Sequence, residues 1–332
     1  MIKQNIFYLR ILIDSWKLVW RNKLLWFFGL FSFIFGGGVW YNFTSSSFSG
    51  IFKQDGIIFS LVDIGIFSNS FFSNIKNAVI SDWFSFFMIV FMFFLIIFIS
   101  IILIFISVIA QGGLVYSVFK LNKKEKIDIP SGLSIGRGNF WRILSLNIIE
   151  KYIIWTLSFL LATFSVLAFV AESSIIAIWS FIFSIIITII LVICSLIMKY
   201  SLAFVVLKGK NPIISIKDGA ILFYKNCLVN FEMAFFLFII NSIFKYIMIL
   251  VAIILLIPLT SLGSFSLYMS SWVSFNFYFI FIPCFIVLLI LFFISMLVSY
   301  NYSVWTLMFI HLNNNKRTGK SVMVNLASKF KK

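Results

Sequence analysis

The sequence predicts an all-α fold, a polytopic transmembrane helix bundle of about six spans, and three observations predict it. Hydrophobic residues make up 62% of the 332 residues and charged residues 11%, more apolar surface than a water-soluble domain of this length can bury. The apolar residues fall in blocks long enough to cross a hydrocarbon core of roughly 30 Å, which takes about 20 helical residues. The longest block, Phe84 to Ala110, carries no charge. It fits a helix with an internally satisfied backbone rather than the short alternating strands of a membrane barrel.

The spans are 24–40, 84–110, 146–170, 175–198, 233–258 and 277–299 within one membrane domain, 1–332. The first is the shortest, and a cleaved signal peptide competes with it. Lys3, Arg10, Lys17, Arg21 and Lys23 precede the apolar run together with Trp16 and Trp20, and no A-x-A-like site follows, so an uncleaved first helix is expected. Residues 41–83 form an extracytoplasmic loop rich in Ser, Asn and Phe, with Asp55, Asp63 and Asp82. It is too short for an independent domain. Its sequon match at Asn42-Phe43-Thr44 is read as coincidence. Residues 300–332 form a basic cytoplasmic tail.

All of the 26 Lys and Arg except Lys53, Lys76 and Lys245 fall in 1–23, 111–151, 199–227 or 300–332. Lys and Arg near helix ends stay on the cytoplasmic side, which places both termini there. Basic loops facing anionic lipid headgroups account for the net charge of +16 without nucleic acid. Trp40, Trp83 and Trp272 at the outer ends, and Trp26, Trp141 and Trp305 at the inner ends, fit interfacial belts. The 45 Phe, and Lys exceeding Arg, point to an AT-rich coding bias and a bacterial cytoplasmic (inner) membrane.

An internal repeat emerges once the spans are placed. Tyr116-Ser117, Tyr200-Ser201 and Tyr302-Ser303 each follow the inner end of an even-numbered span. Ser134-Ile135-x-x-Gly138 echoes Ser215-Ile216-x-x-Gly219. Asn147-x-Ile149-x-Lys151-Tyr152-Ile153 echoes Asn241-x-Ile243-x-Lys245-Tyr246-Ile247. The repeat predicts three tandem units, each an amphipathic leader helix followed by a membrane hairpin. In the first leader, Arg10, Asp14, Lys17 and Arg21 share one helix face, a membrane-surface basic face, while Ile6, Leu9, Ile13, Trp16 and Trp20 fill much of the rest. Two placements are open: in the membrane plane with the apolar side in the acyl boundary, or packed on neighbouring helices.

Groups for catalysis are sparse. One histidine, His311, and ten scattered carboxylates supply neither a His-rich metal site nor a G-x-S-x-G nucleophile. Cys194, Cys227 and Cys284 are far apart and form no C-x-x-C pair. Gly36-Gly37-Gly38 and Gly112-Gly113 match no phosphate-binding loop; with Ser32 and Gly36 they suit close helix packing. No catalytic residue, metal or cofactor is expected. Ionisable residues within spans are functional candidates, and these are Glu150, Lys151, Glu232 and Lys245. The first three lie near inner span ends, where snorkelling explains them. Lys245 is deep if its helix begins near Met233, and interfacial if its repeat match to Lys151 holds.

Gln111-Gly112-Gly113-Leu114-Val115-Tyr116-Ser117-Val118 followed by Gly138-Asn139-Phe140-Trp141-Arg142-Ile143-Leu144 resembles a pattern of uncharacterised bacterial six-helix membrane proteins. These are similar to the membrane domain of some glycerophosphodiester phosphodiesterases. Tyr200 to Lys210 with Ile216 to Asn226 resembles the same family's segment after its fourth helix, and Trp20 to Leu30 its first-helix entry. The resemblance implies a membrane architecture. Without the His and carboxylate ligands of the hydrolase it implies no hydrolase activity. The expected function is a non-enzymatic membrane component that binds the lipid bilayer, anionic headgroups at its cytoplasmic face, or an unidentified membrane protein partner. The alternative is a permease or channel component, and a membrane enzyme comes third.

Overall fold

The computed structural model describes residues 2–34, 83–170, 173–268 and 272–314. Among these residues the protein is all-α, with nine helices and no strand: α1 (Ile2–Arg21), α2 (Leu24–Phe33), α3 (Trp83–Asn122), α4 (Ile129–Gly138), α5 (Phe140–Val170), α6 (Ser174–Lys208), α7 (Pro212–Lys225), α8 (Cys227–Tyr268) and α9 (Trp272–Asn314). Five of them, α3, α5, α6, α8 and α9, contain stretches long and apolar enough to cross a membrane, which makes the chain a multi-pass membrane protein. The first expected span is described over α2, and its remainder, like the 41–82 loop and the tail beyond Asn314, lies outside the described residues.

Local chemistry sets the breaks between helices. Pro130 and Pro212 occupy the first turns of α4 and α7, where the missing N–H costs nothing. Gly209 ends α6 in the left-handed region, φ 63°, with its N–H on Val205 O at 3.0 Å, a helix stop that glycine makes without steric strain.

The helices fall into three units of leader, outgoing helix and returning helix: α1–α2–α3, α4–α5–α6 and α7–α8–α9. The three returning helices α3, α6 and α9 touch one another pairwise at the centre. Leader α4 packs on α3 and leader α7 on α6, each on the returning helix just before it; α1 packs on α9 and so closes the ring. The core lies where these helices meet, with Leu114 and Val118 of α3, Tyr200 and Val205 of α6, and Val304 and Met308 of α9 buried together.

Leader and returning helix approach closely because small residues line the contact. A Cβ added at Gly112 would lie 2.9 Å from Gly136 Cα, and one added at Gly219 would lie 2.6 Å from Ser201 Oγ. Lipid is as apolar as the side chains, so membrane helices associate through such close packing and through hydrogen bonds. Ser117, Ser201 and Ser303 of the Tyr-Ser repeat are all buried. The repeat echo that pairs Gly138 with Gly219 is corrected by the packing. Gly138 has open space, whereas Gly132 faces Ser117 as Gly219 faces Ser201.

Two further expectations change. Residues 300–314 are not tail but the last turns of α9, and Trp305 is buried instead of joining an interfacial belt. α1 packs on this helix, and Trp305 lies edge-on against Tyr200 of α6 at a centroid distance of 5.8 Å. α3, with 40 residues, is about 60 Å long at 1.5 Å per residue, so the returning helices extend well past the roughly 30 Å core of a bilayer. Their other ends face outward: Phe91, Phe94 and Phe98 of α3 are exposed, as are Trp179 and Phe181 of α6, surfaces that lipid would solvate.

Gly219→Val should destabilise the protein by about 1–3 kcal/mol through overpacking, read as a lower thermal unfolding midpoint in detergent. Gly138→Ala should stay within about 0.5 kcal/mol of the parent. Equal effects of the two would contradict the contact described.

Candidate functional site

Each outgoing helix enters the bundle by a polar contact with the central helix before it. Ser299 Oγ of α9 donates to Leu25 O of α2 at 2.7 Å. Asn147 Nδ2 of α5 donates to Gln111 Oε1 of α3 at 2.7 Å, and Tyr200 Oη of α6 donates to Asn230 Oδ1 of α8 at 2.5 Å. These buried bonds fix the register of the three units. Gln111 Nε2 and Trp305 Nε1 are buried without a partner among the described residues.

The four candidate polar residues do not form one site. Glu150 of α5 lies within electrostatic reach of Lys151, of Lys199 of α6 and of Tyr302 of α9. The Lys199 ammonium stands 5.1 Å from the Trp305 ring centroid, a cation–π distance. Glu232 of α8 accepts a hydrogen bond from Tyr8 of α1. Lys245 makes no ion pair or hydrogen bond among the described residues and lies one turn along α8 from Asn241, which pairs reciprocally with Asn301 at 3.1–3.2 Å. Tyr152 and Tyr246, the neighbours of Lys151 and Lys245 in the repeat, are exposed to the same extent, 73% and 74%.

Lys199 and Tyr8 escaped the sequence reading. Lys199 adjoins the Tyr200-Ser201 repeat and stands one residue past the expected span, a signal that could have found it; nothing in the sequence ties Tyr8 to Glu232, 224 positions away.

Helix α1 presents three faces. Tyr8, Ile11, Leu12, Ser15 and Val19 are buried, and Trp16 packs on Phe244 and Tyr300 at centroid distances of 5.6 and 5.8 Å. Roughly 100° around the helix, one residue further on, Leu9, Ile13 and Trp20 form an exposed apolar stripe. Another step of roughly 100° brings Arg10, Asp14, Lys17 and Arg21, all exposed. The helix therefore packs on its neighbours and still keeps an apolar stripe for another environment. Its charged face borders an open cavity of about 820 Å³ lined also by Leu121 and Asn122 at the end of α3, by Lys124 on the turn after it, and by Leu307, Ile310 and His311 of α9.

Among the described residues no three His, Cys, Asp or Glu side chains converge as a metal site would require. No family model matches the chain, and no curated protein or solved structure is similar to it.

Asn147→Leu should cost about 1–3 kcal/mol because it strands the buried Gln111 amide. Adding Gln111→Leu should recover part of that loss, so a double-mutant cycle measured by thermal unfolding should show coupling between the two sites.

Burial, and then the Glu232 carboxylate that accepts its hydrogen bond, push the Tyr8 hydroxyl above its ordinary value of 10.0. A value raised in the folded chain gives a contribution that is complete below about pH 10 and lost as the phenol ionises at more alkaline pH. Tyr8→Phe should therefore flatten the alkaline fall in stability, measured as unfolding midpoint against pH.

Proposed function

We propose that the chain is a non-enzymatic component of a bacterial cytoplasmic membrane that binds the anionic lipid surface, or a partner at that surface, through its leader helices. The observation that carries this reading is the three-faced geometry of α1. One face is anchored in the bundle, an apolar stripe is left open, and the charged face follows roughly 100° further on. That order suits a helix at the membrane boundary, with Leu9, Ile13 and Trp20 toward the acyl chains and Arg10, Lys17 and Arg21 toward headgroups. The distribution of Lys and Arg supports a cytoplasmic placement of the leaders and of the inner ends of α3, α6 and α9. The resemblance to the membrane domain of glycerophosphodiester phosphodiesterases supports the same architecture and brings no hydrolytic residues with it.

A permease is the second reading, favoured by Glu150 of α5 lying within electrostatic reach of Lys199 of α6 and Tyr302 of α9, since ionisable groups in membrane helices commonly mark transport paths. Purification from native membranes separates the two. A retained anionic lipid or a stoichiometric partner favours the first reading, and substrate-dependent flux in proteoliposomes favours the second.

With Cys194, Cys227 and Cys284 replaced, single cysteines at Lys124 and Lys210 should resist a membrane-impermeant thiol reagent in intact cells, and one at Ser173 should react. Labelling of position 124 with position 173 protected would reverse the orientation. Ile13→Asp combined with Trp20→Asp should make α1 more accessible to limited proteolysis in liposomes. Unchanged cleavage would count against membrane docking.

A further inference from the structure

The three seams where a leader meets the central helices are built alike but finished differently. Between α6, α7 and α9 two cations end on protein acceptors, whereas Lys217 and Lys225 of α7 stay exposed: Lys210 pairs with Asp218, and Lys208 Nζ donates to Asn313 Oδ1 at 2.9 Å. At the start of α5, Arg142 donates to Gly209 O at 2.8 Å. At the α1 seam the cations have no such acceptors. Arg10, Lys17, Arg21 and Lys124 border one cavity, and among the described residues none of them makes an ion pair or a side-chain hydrogen bond. Asp14 is the one carboxylate in the cavity lining.

Four like charges around one concavity repel one another, and low-dielectric walls strengthen the potential they create. Ile11, Leu18, Leu307 and Ile310 supply such walls. An anion relieves the repulsion. Guanidinium groups present planar forks that match phosphate oxygens two at a time, and lysines add point charges. Asn22, Asn122 and His311 place neutral hydrogen-bonding groups in the same lining. The volume, about 820 Å³, falls in the range of small-ligand sites, roughly 300–1,000 Å³. It exceeds what inorganic phosphate alone fills and is too small for a nucleic-acid duplex.

We propose that the α1–α3–α9 cavity binds a phosphate-bearing anion, supplied either by a phospholipid headgroup or by a small soluble phosphate ester. This deepens the lipid-surface reading by naming the chemistry recognised, but it does not require α1 to dock on a membrane.

The full chain in nanodiscs of purely zwitterionic lipid would be titrated with inorganic pyrophosphate by calorimetry. In parallel, phosphatidylglycerol would be added to the discs and its retention read by native mass spectrometry. Saturable pyrophosphate binding identifies a site open to soluble phosphates. Selective retention of phosphatidylglycerol without pyrophosphate binding identifies the headgroup as the source. Arg10→Gln with Lys124→Gln should weaken whichever ligand binds by about tenfold or more. Lys217→Gln with Lys225→Gln, which removes two exposed cations outside the cavity, should leave binding unchanged. Lys124→Gln alone lies on the turn after α3, away from the packed face of α1, and should weaken binding by several-fold with an unaltered unfolding midpoint. Failure of both ligands to bind overturns the proposal, as does equal binding by the cavity and control variants. The lipid-surface reading fails separately, if the Ile13→Asp and Trp20→Asp chain keeps α1 protected while the cavity still binds pyrophosphate.

Discussion

Close approach of small residues, of the second and third leader helices to α3 and α6 and of α2 to α9, is the constraint on which the rest of this bundle depends. Apolar side chains gain little by leaving lipid for a protein interior, so helices in a membrane adhere where backbones can come near enough for dense packing and for hydrogen bonds. Gly112 against Gly136 and Gly219 against Ser201 provide that approach in the second and third leaders. In the first unit the approach is transferred to α9, where Ser295, Ser299 and Ser303 recur every four residues and the first two donate to backbone carbonyls of α2. The outward parts of α3 and α6 carry Phe and Ile where a seam would need Gly or Ser, and their side chains are exposed there.

The same constraint makes the units interdependent. Each outgoing helix bonds to the returning helix of the previous unit, α5 through Asn147 and Gln111 and α8 through Asn230 and Tyr200. The series closes when α2 bonds to α9 through Leu25 and Ser299, 274 positions apart. A two-helix hairpin of this chain would leave the side-chain oxygen of Gln111 or Asn230 without its donor, and an unmet buried amide costs more than a neutral hydrogen bond returns. The ring is therefore the smallest arrangement that satisfies all three polar contacts.

Much of this arrangement was legible in the sequence, because hydrophobic block length reports helices and the Tyr-Ser dipeptides mark equivalent turns of α3, α6 and α9. The leaders were legible as amphipathic segments. What the sequence could not convey was contact between distant positions. Spacing gives no hint that Tyr8 meets Glu232, or that Lys199 and not Lys245 lies within electrostatic reach of Glu150. The Gly138 echo was misleading for the same reason. Glycine can serve as a helix terminator or as a packing surface, and the two uses look identical in a string of letters; only Gly132 and Gly136 are pressed against α3. Trp305 misled through composition, since a tryptophan ahead of a basic segment reads as an interfacial anchor until it is seen buried against Tyr200 of α6.

A pseudo-threefold ring gives three chances to build the same seam, and departures from equivalence carry more information than the equivalence does. Packing alone would favour compensated charges at every seam, because an unpaired cation near apolar walls loses solvation without a matching interaction. Around the end of α6 three cations follow that rule, with Asp218, Asn313 and the Gly209 carbonyl each taking one. The α1 seam breaks it with Arg10, Lys17, Arg21 and Lys124 around one concavity. The fold already contains a local remedy, since an acidic residue on the turn after α3 could have met these cations as Asp218 meets Lys210. Instead that turn carries Lys123 and Lys124 with Glu125 beyond them, and the cavity lining takes Lys124. A seam that gathers four cations around one concavity with a single carboxylate in its lining is the arrangement expected where the balancing charge arrives with a ligand.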